Sequence, residues 1–220
     1  MKNKKFGLVK VIGVLVGICV IGAASITLAN QVKREMRINQ LKKAEVGDVV
    51  KFGKYMCADQ EKFETKMYEM NNWIVLDKKD GKLLLFAKNS VDKCNYAKES
   101  DKEANWENSN IREWLNGEYF NMAFNKKEQK MIVETKVDNG KDRVFIFTED
   151  EVKSYLPNRE DRISEALTDF RGSALRDVNE DSTKFDYMGG NGEIYKGEYD
   201  KFEEYPVIGA RPVIWVDVSK

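Results

Sequence analysis

The chemistry open to this chain is limited first by a missing residue type. Its 220 residues include no histidine. That removes the commonest general base, the commonest metal ligand and every Ser-His or Cys-His arrangement. Catalysis would have to rest on Asp/Glu, Lys, Tyr or Cys. Neighbouring acids such as Glu203 and Glu204 are plentiful, but an acidic chain produces close pairs by chance, so no catalytic pair stands out. The run Asp177-Val178-Asn179-Glu180-Asp181 has the one-three-five oxygen spacing of a calcium loop. Ser182 then stands where glycine is required, and Met188 where a bidentate Glu belongs. An EF-hand is excluded. The run reads as a solvated acidic loop, with an irregular calcium site as the alternative, and no other cofactor is expected. Gly189-Gly190-Asn191-Gly192 reads as a turn, because it lacks the strand before and helix after that a phosphate-binding loop needs.

Residue types suited to binding are easier to find. Tyr187, Tyr195 and Tyr199 lie in a polar, glycine-containing stretch. Exposed tyrosines in such loops suit carbohydrate or protein recognition. Arg211 sits among apolar residues in Ile208-Gly209-Ala210-Arg211-Pro212. It reads as a partly buried guanidinium held by a carboxylate or by backbone carbonyls, rather than one facing a ligand. Trp73, Trp106, Trp114 and Trp215 read as core and core-edge residues. Cys57 and Cys94 are either two separate thiols or one disulfide, since pairing does not follow from spacing.

Charge and hydropathy place these residues. The chain has 37 basic and 37 acidic residues, but residues 1–43 hold nine Lys/Arg and one acid, Glu35. The remainder is therefore acidic, with a net charge of −8. An acidic body argues against a nucleic-acid partner, which needs a basic surface. Val11 to Ala29 is nineteen residues without a charge. As a helix it would span about 28 Å, the thickness of a bilayer's hydrocarbon core. The expected organisation is a cytoplasmic tail (1–10), a transmembrane helix (11–29), a helical stalk (30–43) and a globular domain (44–220) outside the cytoplasm. Cleavage near Ala23-Ala24-Ser25 would instead secrete the domain.

Within the domain, Val49–Tyr55, Asn72–Asp77 and Lys82–Ala87 have strand character, and the Asp80-Gly81 pair predicts a hairpin between the last two. Ser109 caps a helix that Gly117 should end, and a second helix is expected over about Lys126 to Val133. Val144–Phe147 reads as a short strand. Thr148 and Glu151 have capping-box spacing for a helix that Pro157 stops. Residues 158–205 read as long polar loops with short strands, and Pro212–Val218 as a closing strand. The class is α+β, with a mainly antiparallel sheet and a central helical pair.

Three blocks carry a family resemblance: Trp73-Ile74-Val75-Leu76-Asp77, then Asn105 to Asn116 (NWENSNIREWLN) continued by Tyr119 to Phe124, then Gly209 to Trp215 (GARPVIW). The chain resembles a bacterial domain of unknown function, family six-two-seven-three, over about residues 45–218. The resemblance marks Trp106, Arg112 and Trp114 as structural, and it implies a plan similar to C-type-lectin-like modules. The family's Leu-Arg-Ser-Pro-Gly segment has its nearest match here in Ala174-Leu175-Arg176-Asp177, without the Pro. That makes Arg176 a further candidate ligand contact. The expected function is a membrane-anchored, non-catalytic binding module for a cell-surface glycan or protein. A carboxylate-dependent wall hydrolase and a tethered subunit of a membrane complex are the alternatives. Protease added to spheroplasts is expected to degrade the domain; full protection with the outer face accessible would contradict this orientation.

Overall fold

The computed structural model describes residues 32, 35–59, 66–92, 95–97, 105–164, 172–178, 184–200 and 208–219. The expected transmembrane segment 11–29, Cys94, and the stretch of the acidic run after Val178 lie outside them. Among the described residues no helix is long and apolar enough to cross a membrane. The chain divides into Met1–Lys43 and Ala44–Lys220. Of the first unit, residues 35–43 are helical.

The second unit is built on a five-stranded antiparallel sheet in the order β1-β2-β3-β11-β4. Its strands are β1 (Val49–Asp59), β2 (Lys66–Lys79), β3 (Lys82–Ala87), β4 (Ile132–Val133) and β11 (Val213–Asp217). Asp80 and Gly81, with φ of 51° and 71°, make the two-residue turn between β2 and β3, as their left-handed conformations allow. In β3 five consecutive residues, Leu83 to Ala87, are buried, so this strand is covered on both faces. The last strand, β11, pairs with β3 on one side and β4 on the other.

Aromatic packing fixes the helices to the sheet. Ser109 caps α1 (Asn110–Trp114) by accepting from the Arg112 amide. Gly117 does not end the helix. The chain continues through a π-turn (Leu115–Tyr119) into α2 (Phe120–Ala123). Leu115, Tyr119, Phe120, Ala123 and Phe124 are all buried, and burial of that apolar face outweighs the roughly 1 kcal/mol helix penalty of one glycine. Phe124 is the hub, with ring centroids 5.5 Å from Phe52 and 6.1 Å from Trp73. Trp73 is buried, and its indole donates to the Phe52 carbonyl at 2.8 Å. The second expected helix stops earlier, as α3 (Lys126–Met131), because Ile132 leaves the helix and enters β4.

The short hairpin β5 (Thr135–Val137) and β6 (Gly140–Asp142) follows. The expected strand at Val144–Phe147 reduces to a single bridge between Phe145 and Val213. Thr148 and Glu151 form the capping box of α4 (Glu149–Tyr155), and α5 (Arg159–Arg162) lies beyond Pro157.

Where long loops with short strands were expected, the strands, among them one beginning at Ile194, join in a second sheet. Its order is β10-β7-β8-β9, with β7 (Gly172–Val178), β8 (Lys184–Gly189), β9 (Ile194–Asp200) and β10 (Ile208–Gly209). Only the β10–β7 pairing is parallel. Several charged residues of these strands are paired within the fold. Arg176 pairs with Glu151, Asp177 accepts from the Glu149 amide, and Asp186 accepts from the Gly197 amide.

Gly53 shows how close the helix lies to the sheet. Its φ is +67°, and a Cβ there would meet the Ala123 carbonyl and the Phe124 ring at 2.7 Å. Gly53→Ala is expected to lower stability by about 2 kcal/mol or more, from left-handed strain plus overlap. Urea unfolding checks this; a midpoint unchanged from wild type would contradict it.

Candidate functional site

The most distinctive sequence block folds into one wall of a groove. Asn105 caps a single 3-10 turn, Trp106–Asn108, and Ser109 then starts α1. These caps satisfy the first amides of both turns, and they fix the positions of Trp106 and Arg112. Both side chains point at Asp142, the last residue of β6. The Trp106 indole donates to Asp142 Oδ2 at 2.9 Å, and Arg112 Nε donates to Asp142 Oδ1 at 2.7 Å. The Asp142 side chain is 2% exposed, so each carboxylate oxygen exchanges water for a fixed donor.

Two further ties complete the wall. Arg112 Nη1 donates to the Glu107 carbonyl at 2.7 Å. Asn116 Oδ1 accepts from the amides of Arg143 and Val144, while its Nδ2 donates to the carbonyls of Arg112 and Val144. The amide thus substitutes for a strand partner. Gly140 leaves room for the guanidinium, since a Cβ there would come within 3.3 Å of Arg112 Nη2.

The resulting groove has a volume of about 470 Å³ and is lined by Glu107, Arg112, Glu113, Glu134, Lys141 and Arg143 among others. Arg143 is exposed and lies over the Phe120 ring at 5.4 Å. Lys141 and Glu134 approach to 3.9 Å, a separation worth little at a surface. The lining therefore offers both hydrogen-bond donors and acceptors on anchored backbones. That is the equipment of a recognition site for polar groups. The carboxylate at its wall, Asp142, is already engaged by two donors.

The residues singled out in the sequence separate into different places. Trp106 and Arg112 build the groove. Asp142 and Glu134, which complete it, carry no local signal: Asp142 sits between Lys141 and Arg143, and only the fold brings it to Trp106. Arg176 is turned inward, with its side chain 5% exposed. Its guanidinium bonds Glu151 at 3.0 and 3.2 Å, Asp138 at 3.3 Å and the Ile146 carbonyl at 2.6 Å. Tyr187 and Tyr195 meet across β8 and β9, stacked at 4.8 Å and 12°. Each ring thus spends one face on the other. The Tyr199 side chain lies outside the described residues.

The remaining candidates are structural in their contacts or stand at the sheet. Trp114 packs against Tyr119 at 5.2 Å. Arg211 is 2% exposed and donates to the carbonyls of Ala87, Lys88 and Arg162. Trp215 is half-buried on β11, and it lines a second, shallower depression of about 300 Å³ with Lys79, Lys82 and Glu134.

Nearby titratable groups shift for visible reasons. Glu149 accepts from Lys153 and Lys196, both at 2.6 Å, and these bonds hold its carboxyl below the usual range. Burial pushes Asp177 upward. Among the described residues no group of three or more His, Cys, Asp or Glu could hold a metal ion.

Asp142→Ala is expected to lower stability by about 2 kcal/mol or more, because it strands the buried Trp106 indole donor and removes the partner of a half-buried guanidinium. Arg143→Ala should change stability by no more than about 0.5 kcal/mol. Thermal unfolding of both variants checks this; equal effects would contradict the assigned roles. No match was found among functionally curated proteins or among solved structures. A family model does match, over residues 80–218. That span begins at the β2–β3 turn, so β1 and the Trp73–Asp77 block lie before it, and the match is shorter than the 45–218 expected. It covers the groove, both sheets' remaining strands and Arg211, and on that match the chain belongs to the domain of unknown function family DUF6273.

Proposed function

We propose that this protein is a non-catalytic binding module, anchored in the membrane by residues 11–29 and displayed outside the cytoplasm. Its ligand site is the groove between α1 and the β5–β6 hairpin. The observation that carries this reading is the Asp142 tie. The residues of the most specific sequence block are spent on holding a wall rigid, and the groups left facing the groove are mixed donors and acceptors. Preorganised polar groups of both kinds suit recognition of a neutral polar ligand, which meets a partner for each hydroxyl or amide. A lectin-like role, with a cell-surface glycan as ligand, follows from that chemistry. A protein ligand would be read through the same groups.

A glycan and wall-polymer array probed with the full-length chain in detergent micelles tests the reading. Binding is expected, and Lys141→Ala with Arg143→Ala together should weaken it about tenfold, as loss of one or two hydrogen bonds to charged groups implies. Absence of binding, binding untouched by the double substitution, or release of new reducing ends from the polymer would each contradict a non-catalytic glycan site.

A further inference from the structure

The groove does not stop at its own wall. Glu134, in the link between β4 and β5, lines both the 470 Å³ groove and the 300 Å³ depression beside Trp215. The two spaces therefore adjoin at one residue. We infer that Trp215 forms a second subsite of the same binding surface, and that the ligand is a linear, neutral oligosaccharide long enough to occupy both. This rests on the groove being a binding site, as proposed above.

Trp215 differs from the two buried tryptophans in what its indole does. Trp73 donates to Phe52 and Trp106 donates to Asp142. The Trp215 N–H has no hydrogen-bond partner among the described residues, and its ring stacks on no other described aromatic. A tryptophan normally finds a partner for its N–H when it is packed away. Trp215 is half-buried and lines the depression, and its indole combines apolar ring surface with an N–H donor. Those are the two features that engage a sugar ring, whose C–H face is apolar and whose rim carries hydroxyls.

The surroundings specify the rest. Lys79 and Lys82 supply donors beside Trp215, and Asp80, Glu134 and the Thr135 hydroxyl supply acceptors. The groove repeats this mixture, with Lys141 and Arg143 as donors and Glu113 and Glu134 as acceptors among its lining. A polyanion would meet the carboxylates, and a polycation would meet the Lys and Arg side chains. A hydroxyl both donates and accepts, so a neutral saccharide can use every one of these groups. Two adjoining shallow depressions suit successive rings of a chain better than one compact molecule. Binding the second ring is then intramolecular, which raises affinity with length.

Calorimetric titration of the full-length chain in micelles tests this, using β-1,4-linked oligomers of N-acetylglucosamine and of glucose with two and six units. One of the two series is expected to bind, its hexamer about tenfold more tightly than its dimer. Trp215→Ala should bring the hexamer down to the dimer's affinity and leave dimer binding unchanged. Lys79→Ala, at an exposed turn-side position that cannot disturb the core, should weaken the hexamer about threefold and spare the dimer. Equal affinity of dimer and hexamer, or a length effect that survives both substitutions, overturns the second subsite while leaving the groove intact. Tighter binding of a hexagalacturonate overturns neutrality. No binding of either series overturns the groove as a saccharide site, and this inference with it.

Discussion

Burying the Asp142 carboxylate removes two anionic oxygens from water, and the cost is large unless each oxygen meets a donor of fixed geometry. Trp106 and Arg112 are those donors. They can serve only because α1 and the 3-10 turn before it are capped at Asn105 and Ser109. The tie therefore sets the spacing between the helix and the β5–β6 hairpin. Everything along the groove depends on that spacing, including the Asn116 clamp on residues 143–144. The next segment carries Phe145 to its bridge with β11. The buried Asp142 tie thus reaches the central sheet in a few residues.

Two buried arginines hold the unit's other junctions, and they solve the same problem differently. Arg176 is neutralised by carboxylates from α4 and from the β5–β6 turn, Glu151 and Asp138. Arg211 is held by three backbone carbonyls and lies 4.1 Å above the Phe86 ring. Burial alone pulls the Arg211 pKa down to about 9, so the group remains charged at neutral pH. A guanidinium tolerates this because its charge is spread over a planar fork that several carbonyls can share. The fork joins the end of β3, the end of α5 and the start of β11 through three separate nitrogens, a spread that the single nitrogen of a lysine lacks.

Sequence legibility followed the range of the forces involved. Features set by neighbouring residues could be read directly: the Asp80-Gly81 turn, the Ser109 cap, the Thr148–Glu151 box and the stop at Pro157. Features set by distant packing could not. Gly117 signals a helix end locally, yet the aromatic face on both sides of it is buried against β1 and β2. The second sheet was hidden because Arg176, Asp177 and Asp186 make its strands look like solvated loop, while their partners lie elsewhere in the chain. The site was half legible. Trp106 and Arg112 stood out by spacing, but Asp142, Glu134 and Trp215's neighbours come together only in three dimensions. Tyr187 and Tyr195, expected as ligand contacts, stack on each other across β8 and β9, a pairing that only the strand register reveals.

The central claim is that the groove beside the Asp142 tie is where this protein engages its ligand. Hydrogen-exchange mass spectrometry of the full-length chain, with and without purified cell-envelope polysaccharide, tests it most directly. The account predicts new protection in residues 105–116 and 132–144, with the second sheet unchanged. Protection confined to residues 184–200, or none anywhere, would contradict it.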